Sequence, residues 1–268
     1  MTDKSALPWA SARTVKNLDE CYFYQAIDLP GIGEQKGEWD LRGEVDSYLG
    51  GVSVEGRRVL ELGTANGFLC FEMERRGAEV VAHDLGEDDE WDLVPFDGHV
   101  TLADQEERRD LARRLNNAWW LTHDLLGSSA QVVYGSIYDM PSSVGDVDIA
   151  TFGSILCHLR DPFLALHRVT TLVRETVIVT DVLPEKQRRS AGELFFLPDS
   201  TLQADIWWRL SPEIVSRFLS VLGFKDQRVT HHRQVYNNAG ASLSAVVKPS
   251  SRKVPMYTLV ASRREPRT

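Results

Sequence analysis

The sequence predicts an α/β fold, in which a doubly wound, mostly parallel sheet of seven strands is covered by helices. Short apolar runs alternate with segments of helical periodicity from about residue 57 to residue 183, which is the pattern of repeated β-α-β units. Each run is continuously apolar, as in strands that are buried on both faces. Because crossovers between parallel strands are right-handed, polar residues that follow these strands gather at one edge of the sheet, where ligands bind.

Seven segments are predicted as strands because they are short, apolar and bounded by turn-forming residues. The first five alternate with helices, and the last two complete the sheet. The seven are RRVLEL (57–62), EVVAHDL (79–85), QVVYGSI (131–137), DVDIATFG (146–153), ETVIVTDVL (175–183) and the stretches near 225–231 and 256–262.

Four helices are predicted from apolar spacing and from capping residues. Phe68, Phe71 and Met73 lie at near-helical spacing in front of Gly77, which ends that helix. Apolar residues repeat every three or four positions over 103–126, at Leu111, Leu115, Ala118, Leu121 and Leu125. The remaining two helices each begin with a capping side chain followed by proline, and they cover 161–173 after Asp161 and 211–224 after Ser211.

Composition indicates an ordinary globular chain, with 43% hydrophobic and 26% charged residues among 268. No stretch approaches the roughly 20 apolar residues of a membrane helix. The N-terminal sequence lacks the layout of a secretory signal. Cys21, Cys70 and Cys157 are far apart and show no metal-ligand spacing, so we expect a reduced, cytoplasmic protein with no metal site.

Charge is distributed unevenly around the net value of −9. Residues 1–150 hold 13 Lys and Arg against 29 Asp and Glu, a net charge of −16, whereas residues 151–268 hold 17 against 10, a net charge of +7. A basic half could meet an anionic partner, but solvated surface charge without a partner is the favoured explanation. The acidic total disfavours nucleic acid as a partner without excluding it.

A glycine-rich turn, Glu61-Leu62-Gly63-Thr64-Ala65-Asn66-Gly67, follows the first strand, and Asp84 ends the second strand 23 positions after Glu61. Glycines let a ligand approach the backbone, and a carboxylate at the second strand end can accept both hydroxyls of a ribose. Glu61 would repel the pyrophosphate of NAD but attract an ammonium group. The turn also lacks the G-x-G-x-x-G pattern of dinucleotide sites. These residues therefore favour S-adenosylmethionine over NAD.

The segment VLELGTANG resembles the first motif of class I S-adenosylmethionine-dependent methyltransferases. The blocks GRRVLELGTANGFLCFEMERRGAEVVAHDL and GSIYDMPSSVGDVDIATFGSILCHLRDPFLALHRV are similar to the branch that contains the tRNA wobble-uridine carboxymethyltransferases and their small-molecule relatives. The similarity is dense from about 55 to 183. It implies a Rossmann-like methyltransferase fold with S-adenosylmethionine as the cofactor.

The resemblance implies cofactor contacts at four strand ends. Glu61, Gly63, Thr64 and Gly67 would surround the methionine part, Asp84 and Leu85 the ribose, Ser136 and Ile137 the adenine, and Phe152 and Gly153 the sulfonium end. Ser136 departs from the acidic residue that many relatives carry there. The Cys157-His158 pair also departs, because relatives that use carboxylated S-adenosylmethionine have a tyrosine before this histidine, and this favours the ordinary cofactor.

Three further features have two readings each. His158 is predicted in the active site, either as the general base or as a wall that positions the substrate. The stretch 184–210 is predicted as a lid, in which Trp207 and Trp208 would roof the substrate pocket or simply pack in the core. His231-His232-Arg233 could meet an anionic substrate, but a surface turn is favoured.

The sequence thus predicts an enzyme that methylates a small molecule, with oxygen favoured over nitrogen or carbon as the acceptor atom. Residues 1–50 would form an N-terminal helical substrate cap, and residues 51–268 the cofactor-binding domain. The alternatives are a tRNA wobble-uridine modifying enzyme, a non-catalytic cofactor-binding protein and a nicotinamide oxidoreductase. We expect no membrane partner, and a homodimer stays open.

Overall fold

The computed structural model describes residues 9–93, 102–183, 194–198, 206–238 and 250–265. Its main sheet has eight strands in the order β3-β11-β12-β8-β7-β4-β5-β6. These strands are β3 (Trp39–Asp40), β4 (Arg58–Leu62), β5 (Glu79–Asp84), β6 (Gln131–Tyr134), β7 (Val147–Gly153), β8 (Val173–Val182), β11 (Asp226–Asn238) and β12 (Ser250–Ser262).

The five strands from β8 to β6 pair in parallel, and β12, β11 and β3 extend the sheet beyond β8 in antiparallel pairs. All seven predicted strands are present, so the doubly wound, mostly parallel sheet is confirmed. The eighth strand, β3, is a two-residue edge strand that the sequence pattern did not indicate. After β4, the strands β5 and β6 are added on one side of β4, and β7 and β8 are added on its other side. The strand order therefore reverses between β4 and β7.

Five α-helices lie in the described chain: α1 (Val45–Tyr48), α2 (Phe68–Arg75), α3 (Leu102–Leu126), α4 (Pro162–Thr170) and α5 (Pro212–Val221). The four predicted helices are α2 to α5. Their predicted caps are present, because Asp161 accepts a hydrogen bond from the Leu164 amide at 2.8 Å and Ser211 accepts one from the Ile214 amide at 3.3 Å. No helix of the described residues is long and apolar enough to cross a membrane.

The prediction that residues 1–50 are helical was wrong for the part that is described. Residues 9–50 contain a 3-10 turn at Leu18–Glu20, the hairpin of β1 (Ile27–Leu29) and β2 (Gly33–Gln35), the strand β3 and the single turn α1. The aromatic run from Cys21 to Ala26 is not helical: it bends at Tyr24, Gln25 forms an isolated bridge with Trp39, and the Ala26 amide donates to the Trp39 carbonyl at 2.7 Å.

Alternate residues of the central strands divide the core into two layers. One layer joins α2 and α3 to the N-terminal segment, and it includes Val59 of β4 and Cys21. The other layer joins α4 and α5 to the opposite face, and it includes Leu60 of β4. Both strand residues are fully buried, which is the reason for the continuous apolar runs in the sequence.

The predicted lid is described at 194–198 and 206–210, and the remainder of 184–210 lies outside the described residues. The two pieces form the antiparallel strands β9 (Leu194–Phe196) and β10 (Trp208–Leu210). Leu210 is buried in the layer of α4 and α5. The second strand of the lid is therefore anchored to the main domain.

Candidate cofactor and acceptor site

The turn after β4 is held open by backbone conformation. Gly63, Ala65 and Gly67 have φ values of +75°, +52° and +85°. The amides of Gly63 and Thr64 both donate to the His83 carbonyl, at 2.9 and 3.2 Å. The turn is thereby tied to the end of β5, and its inner side consists of backbone and small side chains that a ligand can approach.

Glu61 is a buried carboxyl group at the base of this turn, with 3% of its surface exposed. The Thr64 hydroxyl donates to it at 2.6 Å. Burial raises the pKa of Glu61 to about 8, and the nearby charge of Asp84 raises it further, while the Thr64 hydrogen bond opposes the shift. A cation placed beside Glu61 would restore the carboxylate form.

Asp84 at the end of β5 connects the turn to the neighbouring loop. One of its oxygens accepts from the Ala65 amide at 2.7 Å, and the other accepts from the Leu85 amide at 2.8 Å. Burial raises the pKa of Asp84, and these two hydrogen bonds counteract the rise. A carboxylate offers about four lone-pair sites. Two of them therefore stay available for a pair of ligand hydroxyls.

The start of α2 is capped from the N-terminal segment and not by a neighbouring side chain. Gln25 accepts a hydrogen bond from the Phe68 amide at 3.2 Å through its side-chain oxygen. Its backbone amide donates to Asn66 at 2.7 Å, and Asn66 donates back to the Gln25 carbonyl at 3.1 Å. Gln25 and Asn66 are both buried. The described N-terminal segment, residues 9–50, thus contributes directly to the shape of the turn through Gln25.

The loop after β6 lies beside Asp84, since the Gly135 amide donates to the Asp84 carbonyl at 3.0 Å. Ser136 begins a 3-10 turn, and its hydroxyl accepts from the Tyr138 amide at 3.3 Å. Ile137 is 5% exposed and packs in the second core layer. The Ser136 hydroxyl is thus held at the start of this turn, and one lone pair and its proton stay available to a ligand.

Phe152 and Gly153 end β7 next to the turn, because Phe152 is paired with Leu62 of β4. The Phe152 side chain is 1% exposed and lies in the core, so only its backbone can meet a ligand. A side chain at Gly153 would lie 2.6 Å from the Tyr48 hydroxyl. Tyr48 of α1 therefore packs directly on the backbone where the sulfonium end is expected.

His158 ends a 3-10 turn that follows β7, and it is half-buried. The lid lies close to this turn, because the Trp207 amide donates to the Cys157 carbonyl at 2.8 Å. The indole N–H groups of Trp207 and Trp208 donate to the carbonyls of Asp92 and Arg160, at 2.8 and 3.2 Å. Both tryptophans therefore fasten the lid to the loops after β5 and β7.

No protein-family model and no curated protein matches the chain. Among solved structures, the N-terminal domain of EvdMO1 with bound S-adenosylhomocysteine aligns over 92% of this chain and 93% of that chain, with a TM-score of 0.54 and 13% identity. The same domain in the presence of S-adenosylhomocysteine and D-fucose aligns over the same shares, with a TM-score of 0.53 and 13% identity. The chain has a Rossmann-like methyltransferase fold.

Within this methyltransferase fold, the structure brings together most of the predicted cofactor residues. The residues of the turn, Asp84 and Leu85 form one hydrogen-bonded unit, and Gly153 borders it. Ile155 also packs over Gly63, since a side chain at that glycine would meet it at 3.2 Å. His158 and the two tryptophans lie farther along the same edge, on the side of the lid.

Sequence reasoning missed Gln25, Tyr48 and Asp181. Asp181 is the penultimate residue of β8, is 3% exposed, and accepts a hydrogen bond from the Val182 amide at 2.6 Å. Burial raises its pKa to about 6, and both this hydrogen bond and Arg209 oppose the rise. An acidic residue at the end of an otherwise apolar strand is the same signal that identified Asp84, so Asp181 could have been found in this way.

Proposed function

We propose that the protein is an S-adenosylmethionine-dependent methyltransferase that acts on a small molecule, with oxygen as the methylated atom. The observation that carries the proposal is the pair of carboxyl groups, Glu61 buried and Asp84 partly buried, on either side of a turn made of backbone and small residues. This arrangement suits a ligand that has a cationic end and a ribose. The methyltransferase fold supports it independently.

The charge of the turn distinguishes between the two main adenosine cofactors. The pyrophosphate of NAD would lie against the buried carboxyl group of Glu61, which burial keeps largely neutral at neutral pH and which a further negative charge would keep neutral, so it would gain no favourable charge interaction there. The amino group of a methionine moiety would instead form a charge-assisted hydrogen bond with Glu61. The two unused lone-pair sites of Asp84 would hold the ribose hydroxyls.

The residues of this chain would contribute to catalysis mainly by holding the acceptor next to the methyl group. S-Adenosylmethionine supplies an activated methyl group when bound. The Tyr48 phenol packs on the backbone of Gly153 at the end of β7, and Trp207 fastens the lid to the turn that follows this strand. In such transfers, a large part of the rate acceleration comes from two effects. The acceptor is held in line with the methyl group, and water is excluded.

A small acceptor is favoured by the surroundings of this edge. The lid is fastened by Trp207 and Trp208, and residues 9–50 cover the turn from the other side. Both features enclose the edge, and an enclosed pocket suits a small molecule. The similar EvdMO1 domain was crystallised in the presence of D-fucose, and a hydroxylated acceptor agrees with that finding.

The tRNA wobble-uridine alternative is supported by the motif resemblance and by the basic C-terminal half of the chain. If the acceptor is a small molecule, tRNA should bind weakly, and its affinity should fall steeply with salt because only phosphate contacts contribute. A tight complex with tRNA that persists at high salt would favour the alternative.

Titration calorimetry with S-adenosylhomocysteine and with NAD tests the proposal. We expect S-adenosylhomocysteine to bind and NAD not to bind. Asp84→Ala should weaken the binding by about 1–3 kcal/mol, because ribose hydroxyls lose their partners. Asp226→Ala, which removes an exposed carboxylate at the start of β11, is the matched control and should bind normally. Binding of NAD, or unchanged affinity in Asp84→Ala, would contradict the proposal.

A further inference from the structure

Three side chains with proton-transfer chemistry lie in one row across three neighbouring strands. In the antiparallel pairs, Tyr257 of β12 lies opposite Asp181 of β8, and His231 of β11 lies opposite Tyr257. Residues directly opposite each other project from the same face of a sheet, with Cβ atoms about 4.5–5.5 Å apart. The register therefore places a carboxyl group, a phenol and an imidazole side by side.

The hydroxyl of Tyr257 requires a polar partner that the described chain does not provide. Tyr257 is fully buried, and its hydroxyl has no hydrogen-bond partner within the described residues. A buried polar group left without a partner costs about 1–3 kcal/mol. The charges of Asp181 and Cys157 act on this hydroxyl, so it lies close to both. A bound molecule with a polar group at this place would complete the arrangement.

The row lies next to the expected methyl position. Gly153 of β7 is paired with Thr180 of β8, so Asp181 is one residue farther along the adjacent strand. Neighbouring strands are roughly 4.8 Å apart. A group that contacts both the end of β7 and Asp181 therefore has to be only a few atoms long.

A cleft of about 480 Å³ opens beside this row. It is lined by Leu183, His231, His232, Arg233, Pro255 and Met256. The His231-His232-Arg233 segment, predicted as a surface turn, is part of the long strand β11. Arg233 lies opposite Pro255, two residues from the Tyr257 row on the same face, which corresponds to roughly 7 Å along a strand. Of the row, His231 lines the cleft, whereas Asp181 and Tyr257 are buried. The Arg233 guanidinium, which donates to the Lys253 carbonyl at 3.2 Å, lines the cleft two residues along β11 from His231.

We propose that this cleft binds the methyl acceptor, that the acceptor is a hydroxylated small molecule with an anionic group, and that Asp181 accepts its hydroxyl proton. The inference rests on the proposed methyltransferase function and deepens it. Tyr257 hydrogen-bonds the reacting oxygen and orients it, and Arg233 pairs with the anionic group. Asp181 and Tyr257 are then in contact with the reacting atoms, whereas Arg233 fixes the other end of the acceptor.

The reaction balances without a further reactant. The acceptor oxygen forms a bond to the methyl carbon as the bond between this carbon and sulfur breaks, and the electron pair of that bond goes to sulfur. The positive charge of the sulfonium is thereby lost, and the hydroxyl proton passes to the carboxylate of Asp181. Water at the open side of the cleft then takes up the proton.

Other charged and titratable groups near Asp181 support its role. Arg209 of the lid strand β10 favours the carboxylate, and the charge of Asp181 in turn raises the pKa of the Tyr48 and Tyr257 phenols, both of which are raised mainly by burial. Since burial keeps the pKa of Asp181 at about 6, the group is ionised at neutral pH and still basic enough to take a proton.

The test uses 4-hydroxybenzoate, which has a hydroxyl and a carboxylate at opposite ends of one ring, and phenol, which has the hydroxyl alone. Transfer of radioactive methyl from S-adenosylmethionine is measured with both. We expect methylation of 4-hydroxybenzoate with a lower KM than phenol, and Arg233→Gln should remove this difference. Failure to methylate either compound in protein that binds S-adenosylhomocysteine would overturn the proposed acceptor class.

Variants of the row test the proton transfer. Asp181→Asn should lower kcat by about 100-fold or more with little change in KM, and Asp181→Glu should recover part of the loss. The kcat of the unaltered protein should fall below about pH 6, and Asp181→Asn should lack this fall. Tyr257→Phe should lower kcat less than Asp181→Asn, and the matched control Asp226→Asn should leave kcat unchanged.

Calorimetry with S-adenosylhomocysteine separates the two levels of the proposal. If the unaltered protein does not bind S-adenosylhomocysteine, the proposed methyltransferase function itself is wrong. If binding is normal and Asp181→Asn keeps kcat within about threefold, then Asp181 is not the proton acceptor and only this inference fails.

Discussion

Replacing Asn66 with alanine tests how the N-terminal segment supports the cofactor turn. Asn66 is fully buried, accepts from the Gln25 amide at 2.7 Å and donates to the Gln25 carbonyl at 3.1 Å. The substitution leaves two buried backbone groups without partners, and each costs about 1–3 kcal/mol. The expected loss is about 2–6 kcal/mol, a large part of the roughly 5–15 kcal/mol by which proteins are stable.

Two measurements follow Asn66→Ala: urea unfolding and calorimetry with S-adenosylhomocysteine. We expect a lower unfolding midpoint and, under conditions where the variant stays folded, weaker binding, because the segment and the turn separate. Asn66→Asp keeps the acceptor for the Gln25 amide and should lose less. Asn17→Ala removes one exposed hydrogen bond to the Asp19 amide and is the control, with a loss of about 0.5–2 kcal/mol. Equal losses for Asn66→Ala and Asn17→Ala would refute the reasoning.

Three further predictions concern the turn and the nearby histidine. Because the pKa of Glu61 is about 8 and a ligand ammonium needs its carboxylate form, affinity for S-adenosylhomocysteine should rise from pH 6 to pH 8, and calorimetry of Glu61→Gln should show a flat profile. Because the pKa of Glu61 is raised in the folded protein, the folded state binds a proton that the unfolded state loses, and the ligand-free protein becomes less stable as pH rises towards 8. Its urea midpoint of unfolding should therefore fall over this range, and the fall should be smaller in Glu61→Gln. Gly67→Ala should be destabilising by about 1–3 kcal/mol in urea unfolding, since φ is +85° and the new methyl would lie 2.6 Å from Trp119; a stability equal to that of the unaltered protein would contradict this. His158→Asn should lower kcat less than about tenfold if His158 is a wall of the pocket, whereas a loss of about 100-fold that depends on pH would make it the base.

The sequence predicted the part of the fold that depends on local patterns. Continuous apolar runs identified the five parallel strands, and Asp161 and Ser211 identified the starts of α4 and α5. Residues 9–50 were misjudged because their conformation depends on distant partners. Gln25 pairs with the turn after β4, and β3 pairs with β11, some 200 positions later in the chain.

The candidate site likewise has one part that could be predicted from the sequence and one part that could not. Glu61, Gly63 and Asp84 could be predicted, because a turn between two strands and the next strand end are close in sequence as well as in space. The row of Asp181, Tyr257 and His231 could not, because it depends on the register of two antiparallel pairs at the far side of the sheet. Only the structure shows that a residue near the C-terminus lies opposite the end of β8.

A crystal structure of the protein with S-adenosylhomocysteine tests the central claim most directly. We expect the ribose hydroxyls on Asp84, the amino group of the ligand on the side of Glu61, and the sulfur near Gly153. The thioether should then point along the edge of the sheet towards Asp181. A ligand bound elsewhere, or a ribose without contact to Asp84, would contradict the account.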